Sequence, residues 1–201
     1  MLITQQAPDF TASAILYNDN IIDNFNFKNY TVGKTTVLFF WPMDFTFVCP
    51  SEIIAFDKSL PEFTKRNTEI VGVSIDSIYV HHAWRQTDPT KGGIGPIKYI
   101  IVSDIKREIQ KLYKVEHPTL GVALRASFLI DKQGIIRHQV INDLPFGRNI
   151  SDIIRMIDSL NFYEKYGEVC PANWTPGKCG IKATPTGAKQ YFKNFYDTTN
   201  A

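Results

Sequence analysis

No apolar run in this 201-residue chain is long enough to cross a bilayer as a helix. Dense lysine and arginine clusters are missing and the net charge is only +2, so nothing marks a nucleic-acid surface. There is no C-x-x-C pair, which argues against dithiol exchange of the two-cysteine-turn type, and no H-x-x-x-H pair, so no metal site is expected. No glycine-rich loop stands at a phosphate-binding strand–helix turn, so neither flavin nor nicotinamide is expected. The first ten residues, Met1-Leu2-Ile3-Thr4-Gln5-Gln6-Ala7-Pro8-Asp9-Phe10, lack a basic segment followed by an apolar core. That excludes a secretory or arginine-rich targeting reading and points to the cytosol. There a lasting structural disulfide is not expected and a transient catalytic one is allowed. Internal repeats and low-complexity tracts are absent as well.

What the chain does have is the ordinary make-up of one enzyme domain, 44% hydrophobic and 21% charged residues. Strand patterns at 37–40, 69–75, 99–102, 127–131 and 135–141 alternate with helical patterns at 51–65, 77–86, 105–113 and 150–163. Pro61 should break or kink the first of these helices. Asp131-Lys132-Gln133-Gly134 reads as the turn of a terminal hairpin. The pattern predicts an α/β fold, a central mixed sheet flanked by helices. After residue 164 the composition changes: Gly167, Pro171, Pro176, Gly177, Gly180, Pro185 and Gly187 crowd an irregular C-terminal arm. The expected division is therefore a domain over residues 1–164 and an arm over 165–201, closed by a short helix near 188–196. Trp174, Tyr191, Phe192, Phe195 and Tyr196 carry too much aromatic surface for a frayed tail.

The most informative run is Trp41-Pro42-Met43-Asp44-Phe45-Thr46-Phe47-Val48-Cys49-Pro50, between the apolar strand 36–40 and the helical spacing that follows it. Cys49 is expected at the N-cap, with Pro50 at the first helical position and Glu52 at the third, as in a capping box. Free N–H groups and the positive end of the helix dipole favour thiolate, the nucleophilic form of sulfur. A cysteine beside an apolar strand can equally be inert packing. The spacing Pro42-x-x-x-Thr46-x-x-Cys49 argues for chemistry, and it resembles the active-site motif of peroxiredoxins.

The resemblance extends from Ala7-Pro8-Asp9-Phe10 through Asn142-Asp143-Leu144-Pro145-Phe146-Gly147-Arg148 to the arm. It is closest to typical two-cysteine members of the alkyl hydroperoxide reductase C type. It implies a thioredoxin-like fold and a thiol peroxidase for hydrogen peroxide and small organic hydroperoxides. In that reading Cys49 attacks one peroxide oxygen while charge grows on the departing one, which needs donors in a dry pocket. Thr46 would hold the peroxide in line, Pro42 would close the pocket without adding a donor, Arg125 would stabilise thiolate and peroxide, and Glu52 would orient Arg125. Glu168-Val169-Cys170-Pro171-Ala172-Asn173-Trp174 resembles the resolving segment, so Cys170 of a partner subunit would capture the sulfenic acid on Cys49.

The same resemblance implies an antiparallel homodimer and a decameric ring, joined around Phe45, residues 75–77 and Trp84. Electrons would come from thioredoxin or a dedicated flavoprotein disulfide reductase. Gly92-Gly93-Ile94-Gly95 and Tyr191-Phe192 resemble features of eukaryotic-like members easily inactivated by excess peroxide. Cys179 matches no role in the resemblance, and reads first as a neutral surface thiol and second as a regulatory or alternative resolving one. Two other readings stay open at this stage, a redox sensor without peroxide turnover and a chaperone-like assembly.

Overall fold

Six consecutive buried residues, Thr35-Thr36-Val37-Leu38-Phe39-Phe40, make β3 (Thr35–Phe40) the centre of the sheet, because a strand covered on both faces reads as an unbroken apolar run. The structure is a computed structural model and describes residues 1–199. Compactness divides it into Met1–Ile150 and the chain from Ser151 onward.

The first unit holds seven strands: β1 (Thr11–Ile15), β2 (Ile21–Asn26), β3, β4 (Thr68–Ser74), β5 (Ile100–Ser103), β6 (Arg125–Ile130) and β7 (Ile136–Asn142). Their order across the sheet is β2-β1-β5-β4-β3-β6-β7. The pairs β3–β4 and β4–β5 are parallel and the rest antiparallel. The mixed sheet and its flanking helices have the thioredoxin-like form the sequence predicts. The hairpin between β6 and β7 is present. Asp131 Oδ1 accepts the N–H groups of Gln133 (2.9 Å) and Ile135 (2.8 Å), and Gly134 takes a φ of +80° that favours glycine.

Alternation along β3 sends its rings to two layers. Leu38 and Phe40 join Phe10, Phe27, Tyr113 and Phe128, with Phe40 5.4 Å from Tyr113 and 6.0 Å from Phe128 between ring centres. That layer is covered by α1 (Phe27–Thr31) and α5 (Ile109–Leu112). Phe39 faces the other way and stacks on Phe56 of α2 (Cys49–Lys58) at 4.1 Å, with Phe63 of α3 (Leu60–Lys65) beyond it. Each such ring contributes about 1.5–3 kcal/mol when fully buried.

Three expectations change. The helix foreseen over 51–65 is two helices, since the chain turns at Ser59 and Pro61 enters the first turn of α3, where its missing N–H costs nothing. The helix foreseen over 105–113 is only α5. Asp104 is buried and its carboxylate accepts the N–H groups of Glu108, Ile109 and Gln110 at 2.8–3.0 Å, which fixes the start, and Arg107 before it has φ +58°. Burial pushes the Asp104 carboxyl up, against the pull of those three bonds. Strands β1 and β2 escaped the sequence pattern because Thr11-Ala12-Ser13-Ala14-Ile15 is small and polar and β2 is an exposed edge.

In the second unit α6 (Ile150–Tyr166) opens at the boundary and groups with the arm, and α7 (Pro185–Thr199) is longer than the short piece foreseen. Trp174 is 3% exposed, its ring 4.8 Å from that of Phe162 and its Nε1 donating to Lys178 O at 2.9 Å. The arm is thus packed around its own tryptophan.

Phe39 lies opposite Gly72 of β4, and a β-carbon there would meet Phe39 Cζ and Trp41 Cζ3, both at 2.8 Å. Only glycine leaves room for both rings. Gly72→Ala should cost about 1–3 kcal/mol as an overpacked core does. Urea unfolding measures it, and an unchanged midpoint would mean the two rings can move aside.

Candidate active site

The chain leaves β3 at Phe40, runs through Trp41–Val48 as a loop, and enters α2 at Cys49. Val48 is the N-cap in a helical conformation with no side-chain cap, so Cys49 and Pro50 are the first and second helical residues. This corrects the placement of Cys49 at the cap and of Glu52 in a capping box. A buried glutamate one turn into the helix is drawn inward by cations instead of back to the backbone. Cys49 in the first turn still belongs to the stretch whose N–H groups have no helical acceptors.

Glu52 is 3% exposed and sits between two arginines. Its Oε2 accepts from Arg125 Nη1 at 2.7 Å and Arg148 Nη2 at 2.9 Å. Its Oε1 accepts from Arg148 Nε at 2.9 Å and from the Arg148 backbone N–H at 3.0 Å. Arg148 also donates through Nη1 to Phe40 O (2.7 Å) and Ala126 O (2.8 Å), and its guanidinium lies 5.0 Å above the Phe39 ring. Arg125 opens β6, is held by Nε to Leu144 O at 2.7 Å, and turns Nη1 to Cys49 Sγ at 3.3 Å. Two buried guanidiniums against one carboxylate leave one positive charge in excess. Cys49 Sγ lies beside that excess in a place from which water is excluded, since Cys49 is fully buried.

Arg148 was not foreseen as a site residue. Its only signal in the sequence is an arginine closing the turn Pro145-Phe146-Gly147, ahead of an apolar helix. The structure thus joins Cys49, Glu52 and Arg125 as expected, and adds Arg148.

Pro42 and Thr46 lie in the preceding loop. Pro42 is buried, while Thr46 is half-buried and its hydroxyl donates to Met43 O at 2.9 Å. The loop is pinned from behind by Asp44, which is buried. Its N–H donates to Asp76 Oδ2 (2.8 Å), its Oδ1 accepts from Trp41 Nε1 (2.9 Å), and its Oδ2 bonds His81 Nδ1 at 2.6 Å on α4 (Ile78–Gln86). Burial pushes the Asp44 carboxyl up and the His81 bond pulls it back. Asp44, Asp76 and His81 offer ligand-type atoms within 4.8 Å of one another. Asp44 Oδ2 and His81 Nδ1 are already engaged with each other, so the cluster reads as a brace. Phe45, next to Asp44, is held at φ +53°, costly for a bulky residue, with its ring 5.9 Å from Trp84. Trp84, foreseen at a subunit contact, is itself fully buried and supports Phe45 from within.

Cys170 belongs to the second unit. It is half-buried, with Sγ 3.6 Å from Ser159 O on α6. Burial pushes its thiol up, while that bond and the charge of Arg155 pull it partly back. Cys179 is exposed.

Residues 3–139 match the AhpC/TSA family and residues 159–194 the C-terminal domain of 1-Cys peroxiredoxin. Over 193 residues the chain is 66% identical to alkyl hydroperoxide reductase C of Buchnera aphidicola subsp. Baizongia pistaciae, covering 96% of this chain and 97% of that one. It is 42% identical over 197 residues to the mitochondrial thioredoxin-dependent peroxide reductase of Mus musculus, covering 96% of this chain and 74% of that one. Among solved structures, the reduced 2-Cys peroxiredoxin of Plasmodium vivax superposes with a TM-score of 0.92 at 45% identity, over 96% of this chain and 99% of that one.

Glu52→Gln removes the carboxylate that two buried guanidiniums share. It should destabilise the fold by about 3–5 kcal/mol, the cost of leaving buried charge unpaired. Denaturant unfolding reads this loss, and a change under 1 kcal/mol would mean that water already screens the cluster.

Proposed function

Since this chain belongs to the AhpC/TSA family of peroxiredoxins and is a thiol-dependent peroxidase that reduces peroxides, we propose that Cys49 is its peroxidatic nucleophile and Cys170 of the partner subunit its resolving thiol. The observation that carries the reading is the 3.3 Å bond from Arg125 Nη1 to the buried Cys49 Sγ, inside a cluster with one positive charge in excess.

The chemistry follows from that charge. Cys49 thiolate attacks the nearer peroxide oxygen, the O–O bond breaks, and the electron pair leaves on the far oxygen as hydroxide or alkoxide, to be protonated. Arg125 is committed by Leu144 and Glu52, so its remaining N–H directions are fixed before peroxide arrives. Donors already aimed at developing charge need no reorganisation at the moment of reaction. Glu52 and Arg148 are positioning residues: they hold Arg125 and tie the first turn of α2 to Phe40 and Ala126. Thr46 turns its hydroxyl from Met43 to the peroxide, and Pro42 walls the pocket. The resulting Cys49 sulfenic acid then condenses with Cys170 of the partner, releasing water and forming an intersubunit disulfide. For that step the first turn of α2 and part of the arm unwind, since Cys49 is buried and Cys170 is held on α6.

The electron donor in this reading is a dithiol protein, thioredoxin or a dedicated flavoprotein disulfide reductase, and the setting is the cytosol. No helix among the described residues is long and apolar enough to cross a membrane. The assembly is an antiparallel dimer extended to a decamer. Phe45 is 50% exposed, Phe47 97% and Tyr79 77%, an apolar group around the braced loop that a second dimer would cover.

Three measurements test this. Cys49→Ser should abolish peroxide turnover with a thiol reductant, and Arg125→Ala should slow the first step by about a hundredfold or more. Cys170→Ser should complete one round and stop. Acid-quenched within the first turnover, the oxidised protein should run as a covalent dimer linked Cys49 to Cys170, and a Cys49–Cys179 link as the first product would overturn the assignment. Sedimentation of reduced protein at micromolar concentration should show species larger than a dimer, and a monomer would reject the ring.

A further inference from the structure

Val169 and Ile181 exchange two backbone hydrogen bonds, N–H to O in both directions at 2.9 Å, and close the intervening chain into a loop. Counting inward from that antiparallel pair, Cys170 falls opposite Gly180 and Cys179 opposite Pro171. Two of the chain's three thiols are therefore one step out of register across a hairpin. With strands about 5 Å apart at such pairs and a rise of about 3.4 Å per residue, their α-carbons lie roughly 6 Å apart. Alternation sends the two side chains to opposite faces of the hairpin, so a bond between them forms only once the bridge opens.

The loop is closed at its base by the bridge and filled from within. Trp174 plugs it against Phe162, with turns closed by Trp174 N–H to Pro171 O (3.1 Å) and Lys178 N–H to Thr175 O (3.1 Å). Pro171 has no N–H, so the ladder cannot extend to the Pro171–Cys179 position. Cys179 stays exposed there, between Lys178 and Gly180.

We propose that Cys179 is a second resolving cysteine, which takes over Cys170 from the Cys49–Cys170 disulfide and closes a disulfide within the arm. The inference rests on the reading of Cys49 and Cys170 given above. The step is a thiol–disulfide exchange: Cys179 loses its proton to solvent, its sulfur attacks Cys170 Sγ, the Cys170–Cys49 bond breaks, and the electron pair leaves with Cys49 as thiolate. The oxidising equivalents are those of the peroxide already reduced, so no further oxidant is needed. Direction follows from the leaving groups. Expelled Cys49 returns to the turn where Arg125 stands 3.3 Å from its sulfur and one positive charge is in excess. Expelled Cys170 would return to Ser159 O, in surroundings that push its thiol up and make it the poorer leaving group. Cys179 also travels with Cys170 when the arm unwinds, since a loop of about ten residues closes in 10–100 ns and keeps its ends at millimolar effective concentration.

A relay has a stoichiometric signature. Once Cys49 is freed with no external reductant present, it can reduce a second peroxide, so the rapid burst should consume two peroxides per subunit. In Cys179→Ser it should consume one. Non-reducing gels and peptide mapping of the full chain should show a covalent dimer that gives way to an oxidised monomer with a Cys170–Cys179 link, whereas Cys179→Ser should remain a covalent dimer. A burst of one in both proteins, with the Cys49–Cys170 dimer persistent and Cys179 still open to alkylation, would overturn the relay and leave the first resolving step standing. Failure of Cys179→Ser to form the Cys49–Cys170 dimer at all would instead remove the step on which the relay depends, and the relay with it.

Discussion

The shared carboxylate of Glu52 is the interaction on which the site depends. It lies in the first turn of α2, yet the cations it binds come from the start of β6 and from the segment after β7, so three parts of the chain meet at one charge. Taken alone, a buried ion pair is weak evidence for stability, because desolvation offsets much of the attraction. Here the pair is an unequal set, two guanidiniums to one carboxylate. The excess charge faces Cys49, and the bonds from Arg148 to Phe40 and Ala126 prevent the arginines from relaxing toward water.

The rest of the first unit keeps that set dry and in place. Phe39 and Phe56 stack beneath Arg148 and join α2 to the central strand. The Asp44–His81 brace and the Trp41–Trp84 pair, 6.3 Å apart, anchor the other end of the loop that carries Pro42 and Thr46. The folded turn is thus held from both sides, by charge within and by rings behind. The proposed chemistry asks the same turn to unwind once sulfur is oxidised, because Cys49 is fully buried where it stands. Local opening of this kind draws on the least stable parts of a fold, and the first turn of α2 begins without a side-chain cap.

The second unit has a different economy. Its order comes from one buried tryptophan, one two-bond bridge and a few turns, a small core for a segment that must release Cys170 and take it back. Loose construction and a second thiol in the same loop are complementary. An arm that opens readily exposes Cys170, and a tethered neighbour retains it.

Much of this was legible in the residues. The apolar run 36–40, the Asp131–Gly134 turn, Arg125 at the head of a strand, and the Pro42, Thr46, Cys49 spacing each carry local physics that needs no tertiary context. What stayed hidden depends on contacts far apart in the chain. Strands β1 and β2 are made of small and polar residues that become strand by pairing at a sheet edge. The helix start moved to Cys49 because Glu52 is drawn to buried arginines instead of to its own cap. Arg148 is an arginine in a turn until folding brings it 96 residues back along the chain to Glu52. The nearness of Cys170 and Cys179 across the arm depends on the Val169–Ile181 bridge, which no spacing rule contains. The sequence by itself determined the fold class and singled out Cys49, because periodicity and a short motif are local. Only the tertiary structure decided the charge balance around that sulfur and the closure of the arm by the Val169–Ile181 bridge, because both are sums over residues brought together by folding.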